Sequence, residues 1–137
     1  MSGKVFLDTN VFVYAHDQAA ADKQRRCREV ISQATESGEG VISTQILQEF
    51  YVAATRRLGV PPLAVKGVMK TLSVFEIVQV TPDLIQEAID CSILNEVSFW
   101  DSLVLAAAAA AGCSTVLTED LNTGQTILGV KVQNPFL

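Results

Sequence analysis

Short apolar runs alternate along the chain with longer stretches in which apolar residues recur at helical spacing. The apolar runs predict β-strands at residues 5–7, 41–43, 77–80, 115–117 and 130–132. The amphipathic stretches predict helices at residues 11–14, 20–36, 44–58, 61–74, 82–96 and 99–111. Alternating strands and helices favour a parallel sheet that is covered on both faces. We therefore predict an α/β fold, a three-layer α/β/α sandwich with a mainly parallel sheet of about five strands.

Length and composition predict a single domain that spans residues 1–137. Hydrophobic residues make up 49% and charged residues 18% of the 137 residues, which is enough apolar material for one buried core. The longest uncharged apolar run covers residues 103–111, whereas a membrane-spanning helix needs roughly 20 residues, so no membrane segment is expected. The cysteines form no CxxC motif and predict buried thiols in a reducing cytoplasm, at Cys27, Cys91 and Cys113.

Histidine is scarce, and this scarcity restricts the chemistry. His16 is the only histidine, which excludes ribonuclease mechanisms with paired histidines and zinc sites of the HExxH type. The sequence also lacks a GxSxG serine motif and the glycine-rich loops GxxxxGK[ST] and GxGxxG. Any catalytic chemistry must therefore depend on carboxylates.

Several acidic residues fall where a parallel α/β fold places its working site, beyond the carboxyl ends of the strands. Asp8 follows the first predicted strand, and Glu119 and Asp120 follow the fourth. Asp101 lies in the first turn of the most apolar helix, and Glu49 borders the apolar face of the helix after the second strand. Each acid also has a structural interpretation that the sequence leaves open: helix caps for Asp8 and Asp101, a solvated position for Glu49, and turn formation for Glu119 and Asp120.

Carboxylates that converge need a cation, because their mutual repulsion otherwise raises at least one pKa. Mg²⁺ and Mn²⁺ take oxygen ligands and retain several waters. Such an ion activates water for attack on a phosphodiester without help from histidine. The acidic residues thus favour a nuclease.

Four short motifs resemble those of the PIN-domain ribonucleases, in order along the chain. They are Val5-Phe6-Leu7-Asp8-Thr9-Asn10, Gln48-Glu49-Phe50, Trp100-Asp101-Ser102-Leu103 before an alanine run, and Val116-Leu117-Thr118-Glu119-Asp120-Leu121. The length and the segment from Leu121 to Phe136 are similar to those of VapC-like toxins from bacterial toxin–antitoxin pairs.

The resemblance implies a role for each matching position. Metal-site carboxylates that also act in catalysis are implied at Asp8, Glu49, Asp101 and Asp120, with Glu119 as an extra ligand. Hydrogen-bond partners of these acids are implied at Asn10, Thr118 and Ser102. The family further implies Mg²⁺ or Mn²⁺ as cofactor, RNA as substrate, a cognate antitoxin as partner and a homodimer as the assembly.

Charge is distributed unevenly around a net value of −5. Residues 71–130 contain eight acidic residues and no lysine or arginine, whereas nine of the ten basic residues lie in residues 1–70. A basic face can therefore form from the first half of the chain. Contacts with RNA phosphates, or with an acidic segment of a partner protein, are predicted at Arg25, Arg26, Arg28, Arg56 and Arg57.

Two rival functions remain at this level. A Mg²⁺-dependent phosphatase of the haloacid dehalogenase type also begins with an aspartate after its first strand. That class needs a second aspartate two residues later, where this chain has Asn10, and a lysine that residues 71–130 lack. The other rival is a non-catalytic PIN-like interaction module, in which the acids are only caps and turns.

Overall fold

Residues 3–137 are described by a computed structural model, and within them lie six strands and six helices. The strands are β1 (Lys4–Leu7), β2 (Gly40–Ser43), β3 (Glu76–Val78), β4 (Cys113–Leu117), β5 (Thr126–Ile127) and β6 (Val130–Gln133). The helices are α1 (Thr9–Ala15), α2 (Ala21–Ser37), α3 (Thr44–Arg56), α4 (Pro62–Thr71), α5 (Pro82–Asn95) and α6 (Phe99–Ala110).

The strands form one sheet in the order β3-β2-β1-β4-β6-β5. All neighbouring pairs are parallel except β5 and β6. The chain moves outward from β1 to β3 and then crosses back to β4 on the other side of β1. Because such crossovers are right-handed, α1–α4 and α5–α6 cover opposite faces of the sheet. The predicted three-layer α/β/α sandwich with a mainly parallel sheet is confirmed, and its topological switch point lies between β1 and β4.

The sheet has six strands where the sequence predicted about five. The additional strand, β5, is only two residues long and pairs antiparallel with β6. Leu128 and Gly129 connect β5 to β6, and both have positive φ (54° and 77°), as in the tight turn of a β-hairpin. Asn-Gly or Asp-Gly is the usual sequence of such turns, so the Leu-Gly pair did not predict a hairpin. The helix that was predicted to reach residue 74 is shorter, because α4 ends at Thr71. Its last predicted residues, Leu72–Val74, form a single 3-10 turn instead.

Helix α6 is the central buried helix of the molecule. Ser102 to Ala108 are all buried, as the nearly uniform apolar sequence predicted. Within residues 3–137, no single helix is both long and apolar enough to cross a membrane; α5 and α6 meet those criteria only as a pair, bent by 116°.

The α1–α4 face of the sheet is packed by aromatic side chains. Phe12 of α1 makes edge contacts with Phe50 and Phe75, at centroid distances of 6.4 and 5.9 Å. A Cβ atom at Gly40 would lie 2.6 Å from the Phe75 ring, so only glycine allows β2 to approach this cluster. This packing fixes α1 and α3 above the sheet, and both helices contribute to the site described next.

Candidate active site

A cleft of about 710 Å³ opens beside the carboxyl ends of β1 and β4, at the topological switch point. Its walls come from α1, α3, the start of α6 and the segment after β4. The polar and charged side chains that line it are Thr9, Asn10, Tyr14, Gln45, Gln48, Glu49, Arg56, Arg57, Glu119 and Asp120. The position agrees with the sequence prediction that the acids converge beyond the strand ends.

Asp8 lies at the bottom of the site and is only 5% exposed. Its Oδ1 accepts a hydrogen bond from the Thr9 backbone N–H (2.7 Å), and its Oδ2 accepts one from the Thr118 hydroxyl (2.7 Å). Burial raises the pKa of Asp8 to about 7; the bonds from Thr118 and Thr9 oppose this shift, and the charges of Asp120 and Glu49 add to it. Asp8 is therefore the N-cap of α1, as its structural interpretation proposed, and it also faces two other carboxylates.

Thr118 connects Asp8 to Asp120. Its buried hydroxyl donates to Asp8 and accepts from the Asp120 backbone N–H at 3.1 Å. The Asn10 amide Nδ2 lies 3.5 Å from the Thr118 oxygen and donates to Asp120 Oδ2 at 3.3 Å. Burial raises the pKa of Asp120, and the nearby charges of Asp101, Glu119 and Glu49 raise it further. The structure thus places Asn10 and Thr118 in direct contact with the predicted acids.

Glu49 reaches the same site from α3. Its Oε1 accepts a hydrogen bond from the Thr9 hydroxyl (2.6 Å), and its Oε2 accepts one from the Gln45 amide (3.4 Å). Gln45 is 3% exposed, and its Nε2 also donates to the backbone carbonyl of Trp100 at 3.2 Å. Sequence reasoning missed Gln45, although its position four residues before Glu49 on the same helix face is a usable signal.

Asp101 and Ser102 occupy different positions in the first turn of α6. The Asp101 backbone N–H donates to the Ser98 hydroxyl at 3.1 Å, so Ser98 caps the helix. The Asp101 carboxylate accepts no hydrogen bond from residues 3–137 and interacts with Asp120 through its charge. The Ser102 hydroxyl is fully buried and donates to the Val97 carbonyl at 3.5 Å. It therefore does not make the contact with an acid that the resemblance implied.

Glu119 lines the cleft, but both of its oxygens are engaged elsewhere. Oε1 accepts from the Tyr14 hydroxyl (2.6 Å), and Oε2 accepts from Lys23 Nζ (3.0 Å). Burial acts to raise the pKa of Glu119, but the bonds from Tyr14 and Lys23 and the Lys23 charge outweigh it and lower the pKa. Lys23 in turn lies over the rings of Tyr14 and Phe136, 4.7 and 4.8 Å from their centroids. This carboxylate is therefore held as an anion by a cation and a phenol, and the arrangement disfavours the extra-ligand role.

The oxygen-rich site fits a hydrated divalent cation. Within residues 3–137, no three His, Cys, Asp or Glu side chains come close enough together to hold a metal by themselves. Mg²⁺ and Mn²⁺ do not require such a cage, because they keep several waters and need only one or two carboxylates. The buried Asn10 Oδ1 finds no hydrogen-bond partner among residues 3–137, as expected of an acceptor that faces water held by an ion. Burial and the neighbouring carboxylates raise the pKa values of Asp8 and Asp120, so a bound cation would favour the charged forms of both acids.

The five arginines predicted as contacts separate into two groups. Arg56 and Arg57 are exposed at the end of α3 and line the cleft together with the acids. The α2 arginines lie elsewhere, since Arg25 and Arg28 line a separate depression on that helix. Arg26 is tied by its Nε to the Pro135 carbonyl at 2.8 Å.

Comparisons with known proteins identify the family and the fold. The sequence model of the PIN domain family matches residues 5–125. The search of curated proteins found no match. A similar solved structure is the Mycobacterium tuberculosis VapC20 toxin, described as cleaving the sarcin–ricin loop (TM-score 0.65, 19% identity, covering 85% of this chain and 92% of that one). DNA-bound VapBC from Salmonella typhimurium has a TM-score of 0.70 at 20% identity, covering 98% and 99% of the two chains.

A toxin–antitoxin complex from Klebsiella pneumoniae is similar to the same degree, with a TM-score of 0.68, 19% identity and coverage of 93% and 95%. At these identities the structural likeness establishes the fold. The family match spans most of the sequence, and the observed fold agrees with it. The chain therefore belongs to the PIN domain family.

Proposed function

We propose that this protein is a Mg²⁺- or Mn²⁺-dependent endoribonuclease and the toxin of a toxin–antitoxin pair. One observation supports the catalytic part most strongly. Asp8, Glu49 and Asp120 are joined through Thr9, Thr118 and Asn10 into one hydrogen-bonded network at the switch point of a PIN domain.

In this proposal each part of the network has a definite task. One or two of Asp8, Glu49 and Asp120 bind the cation directly and the remainder bind its water molecules, and Asp101 adds negative charge at the rim. The Thr118 hydroxyl fixes the orientation of the Asp8 carboxylate, and the Thr9 hydroxyl does the same for Glu49. When bound, the cation supplies Lewis-acid activation of water and of the phosphodiester. It would also favour the charged forms of Asp8 and Asp120, whose pKa values burial and the neighbouring carboxylates raise.

Arg56 and Arg57 provide the positive charge that a nucleic-acid backbone requires. They line the same cleft as the acids and are exposed, so phosphates can reach them directly. The only histidine, His16, is bonded through Nδ1 to the Phe12 carbonyl (2.9 Å) and does not line this cleft. We therefore assign hydrolysis to the carboxylates and the cation, and backbone binding to the arginines.

The toxin part of the proposal rests on the solved structures of similar fold. Those from Salmonella typhimurium and Klebsiella pneumoniae are toxin–antitoxin complexes, and each covers nearly all of this chain. We extend to this protein a cognate antitoxin, a homodimer and a cytoplasmic location. Co-purification of a small protein with the tagged chain from its native host tests the antitoxin, and size-exclusion chromatography with light scattering tests the homodimer.

RNA cleavage tests the catalytic proposal. The purified protein is incubated with end-labelled RNA in Mg²⁺ or Mn²⁺ and in EDTA, and Asp8→Asn and Asp120→Asn are compared with Asp22→Asn. Asp22 is 94% exposed on α2, so that variant changes the same charge away from the cleft. We expect the site variants to lose more than about 100-fold in rate, since even the hydrogen-bond partners of metal ligands contribute about 10- to 100-fold. Asp22→Asn should cleave normally.

Other outcomes favour the rivals. Turnover of small phosphoesters with no cleavage of RNA would identify a phosphatase. A protein with neither activity that still binds a partner would be an interaction module.

A further inference from the structure

Trp100 is the only tryptophan of the chain, and it lines the cleft beside the acids. The side chain is 62% exposed in the first turn of α6. Exposed indoles are uncommon away from binding surfaces, because a large apolar ring gains from burial. Glu49, Asp120, Arg56 and Arg57 line the same cleft, so the ring borders the proposed site of cleavage.

The indole is presented on a rigid support. Its ring packs edge-on against Phe99, with centroids 5.1 Å apart and an interplanar angle of 75°. Its backbone carbonyl accepts a hydrogen bond from the buried Gln45 amide, which also binds Glu49. The residue is therefore fixed relative to the acidic network while its ring remains accessible.

We propose that Trp100 is a stacking platform for an unpaired nucleobase of the RNA, next to the phosphate that is cleaved. This inference rests on the proposed ribonuclease function and names a feature of its substrate. The cleft already offers carboxylates for a cation and arginines for phosphates, and the accessible ring adds a surface suited to a base. A paired base hides its faces in the helical stack, so the platform selects single-stranded segments.

Fluorescence tests stacking without relying on activity, because Trp100 is the only indole in the protein. The Asp8→Asn variant in Mg²⁺ is titrated with a short unstructured RNA and with an oligomer of equal length and charge that lacks bases. The RNA should quench the indole emission with the midpoint that fluorescence anisotropy of labelled RNA gives for binding. The abasic oligomer should leave the emission unchanged. RNA binding with unchanged emission would overturn the stacking while leaving the ribonuclease proposal intact. Absence of RNA binding, together with absence of RNA cleavage by the wild type, would overturn both.

Kinetics on active protein distinguish substrate binding from a structural role. Trp100→Leu should raise KM for single-stranded RNA about 5- to 150-fold, with kcat and the Mn²⁺ affinity unchanged, and Trp100→Phe should restore most of the loss. Tyr51→Leu is the matched control, because Tyr51 is 39% exposed on α3 but does not line this cleft. A fall in kcat at constant KM would show that Trp100 only supports Asp101. Loss of antitoxin binding with an unchanged KM would assign the indole to a protein partner, and either result overturns the proposal.

Discussion

The surroundings of Asp8 let it cap a helix and still offer oxygen lone pairs to the cation that we propose. Its two oxygens accept one hydrogen bond each, from Thr9 N–H and from the Thr118 hydroxyl. A carboxylate has about four acceptor positions, so two bonds leave lone pairs free on both oxygens. Burial without a cation makes the charged form costly, which is why the pKa rises to about 7.

The metal-free protein should therefore lose stability as the pH rises. The pKa of Asp8 is 3.8 in the unfolded chain and about 7 in the folded one, so the folded state holds its proton more tightly. The resulting stabilisation of the folded state is fully present below about pH 4 and is lost as the pH rises to about 7. The free energy of unfolding falls by about 1.4 kcal/mol per pH unit, about 4 kcal/mol in total. Urea unfolding of the wild type and Asp8→Asn in EDTA measures this difference. Parallel pH profiles for the two proteins would refute the assigned environment of Asp8.

The sequence predicted the acidic residues better than their partners. Asp8 and Asp120 could be placed at strand ends, because a parallel sheet brings its carboxyl ends to one edge, and Glu49 could be placed at the border of the apolar face of the helix after β2. Gln45 was missed because a neutral amide carries no chemical signal until its partners are known. Ser102 was misplaced because a small residue beside an acid can point into the core as easily as toward the site.

The segment after β4 is held by contacts with two helices. Glu119 joins Tyr14 of α1 to Lys23 of α2, and the Lys23 ammonium lies over the Phe136 ring. Asp120 is the next residue, so its carboxylate is positioned where these contacts place the backbone. Glu119 and Asp120 therefore have different tasks despite being adjacent acids.

Replacing Glu119 by Gln should separate these tasks. We expect Glu119→Gln to unfold at a lower temperature, since it loses the charge that pairs with Lys23, but to bind Mn²⁺ within a few-fold of the wild type. Asp120→Asn should show a large loss of Mn²⁺ affinity. Thermal unfolding and calorimetric titration measure both properties. An equal loss of affinity in the two variants would make Glu119 a ligand after all.

Long periodic elements were predictable, and short irregular ones were not. All six helices and five of the strands follow from apolar spacing, because each buries a continuous face. Strand β5 has two residues, too few for any period, and its hairpin depends on Leu128 at positive φ. That conformation is imposed by pairing with β6, which local sequence does not encode.

The charge distribution over the whole molecule reconciles an acidic protein with the anionic substrate that we propose. The net charge is −5, yet Arg56 and Arg57 lie at the cleft while Arg25 and Arg28 of α2 line a separate depression. A local basic surface is sufficient, because interactions between exposed charges are screened beyond roughly 10 Å at moderate salt.

Neutralising the cleft arginines should reduce the salt dependence of RNA binding. We expect Arg56→Gln/Arg57→Gln to lower the slope of log affinity against log salt by about 1.4, from about 0.7 for each lost phosphate contact on a single strand. Arg25→Gln/Arg28→Gln is the matched control and should keep the wild-type slope. Filter binding at several salt concentrations provides the slopes. An unchanged slope in the Arg56/Arg57 variant would remove these residues from the interface.

Binding of Mn²⁺ tests the central claim, that the carboxylates at the β1–β4 switch point form one divalent-cation site. Thermal unfolding is measured with and without Mn²⁺ for the wild type, Asp8→Asn/Asp101→Asn and the exposed control Asp22→Asn. At 100 times its dissociation constant, the ion should stabilise the wild type and the control by about 2.7 kcal/mol, roughly 10 °C, because it binds only the folded state. The double variant should show no shift and should be more stable than the metal-free wild type at neutral pH, since repelling charges are removed. A wild type that Mn²⁺ does not stabilise, or a double variant stabilised equally, would contradict the claim.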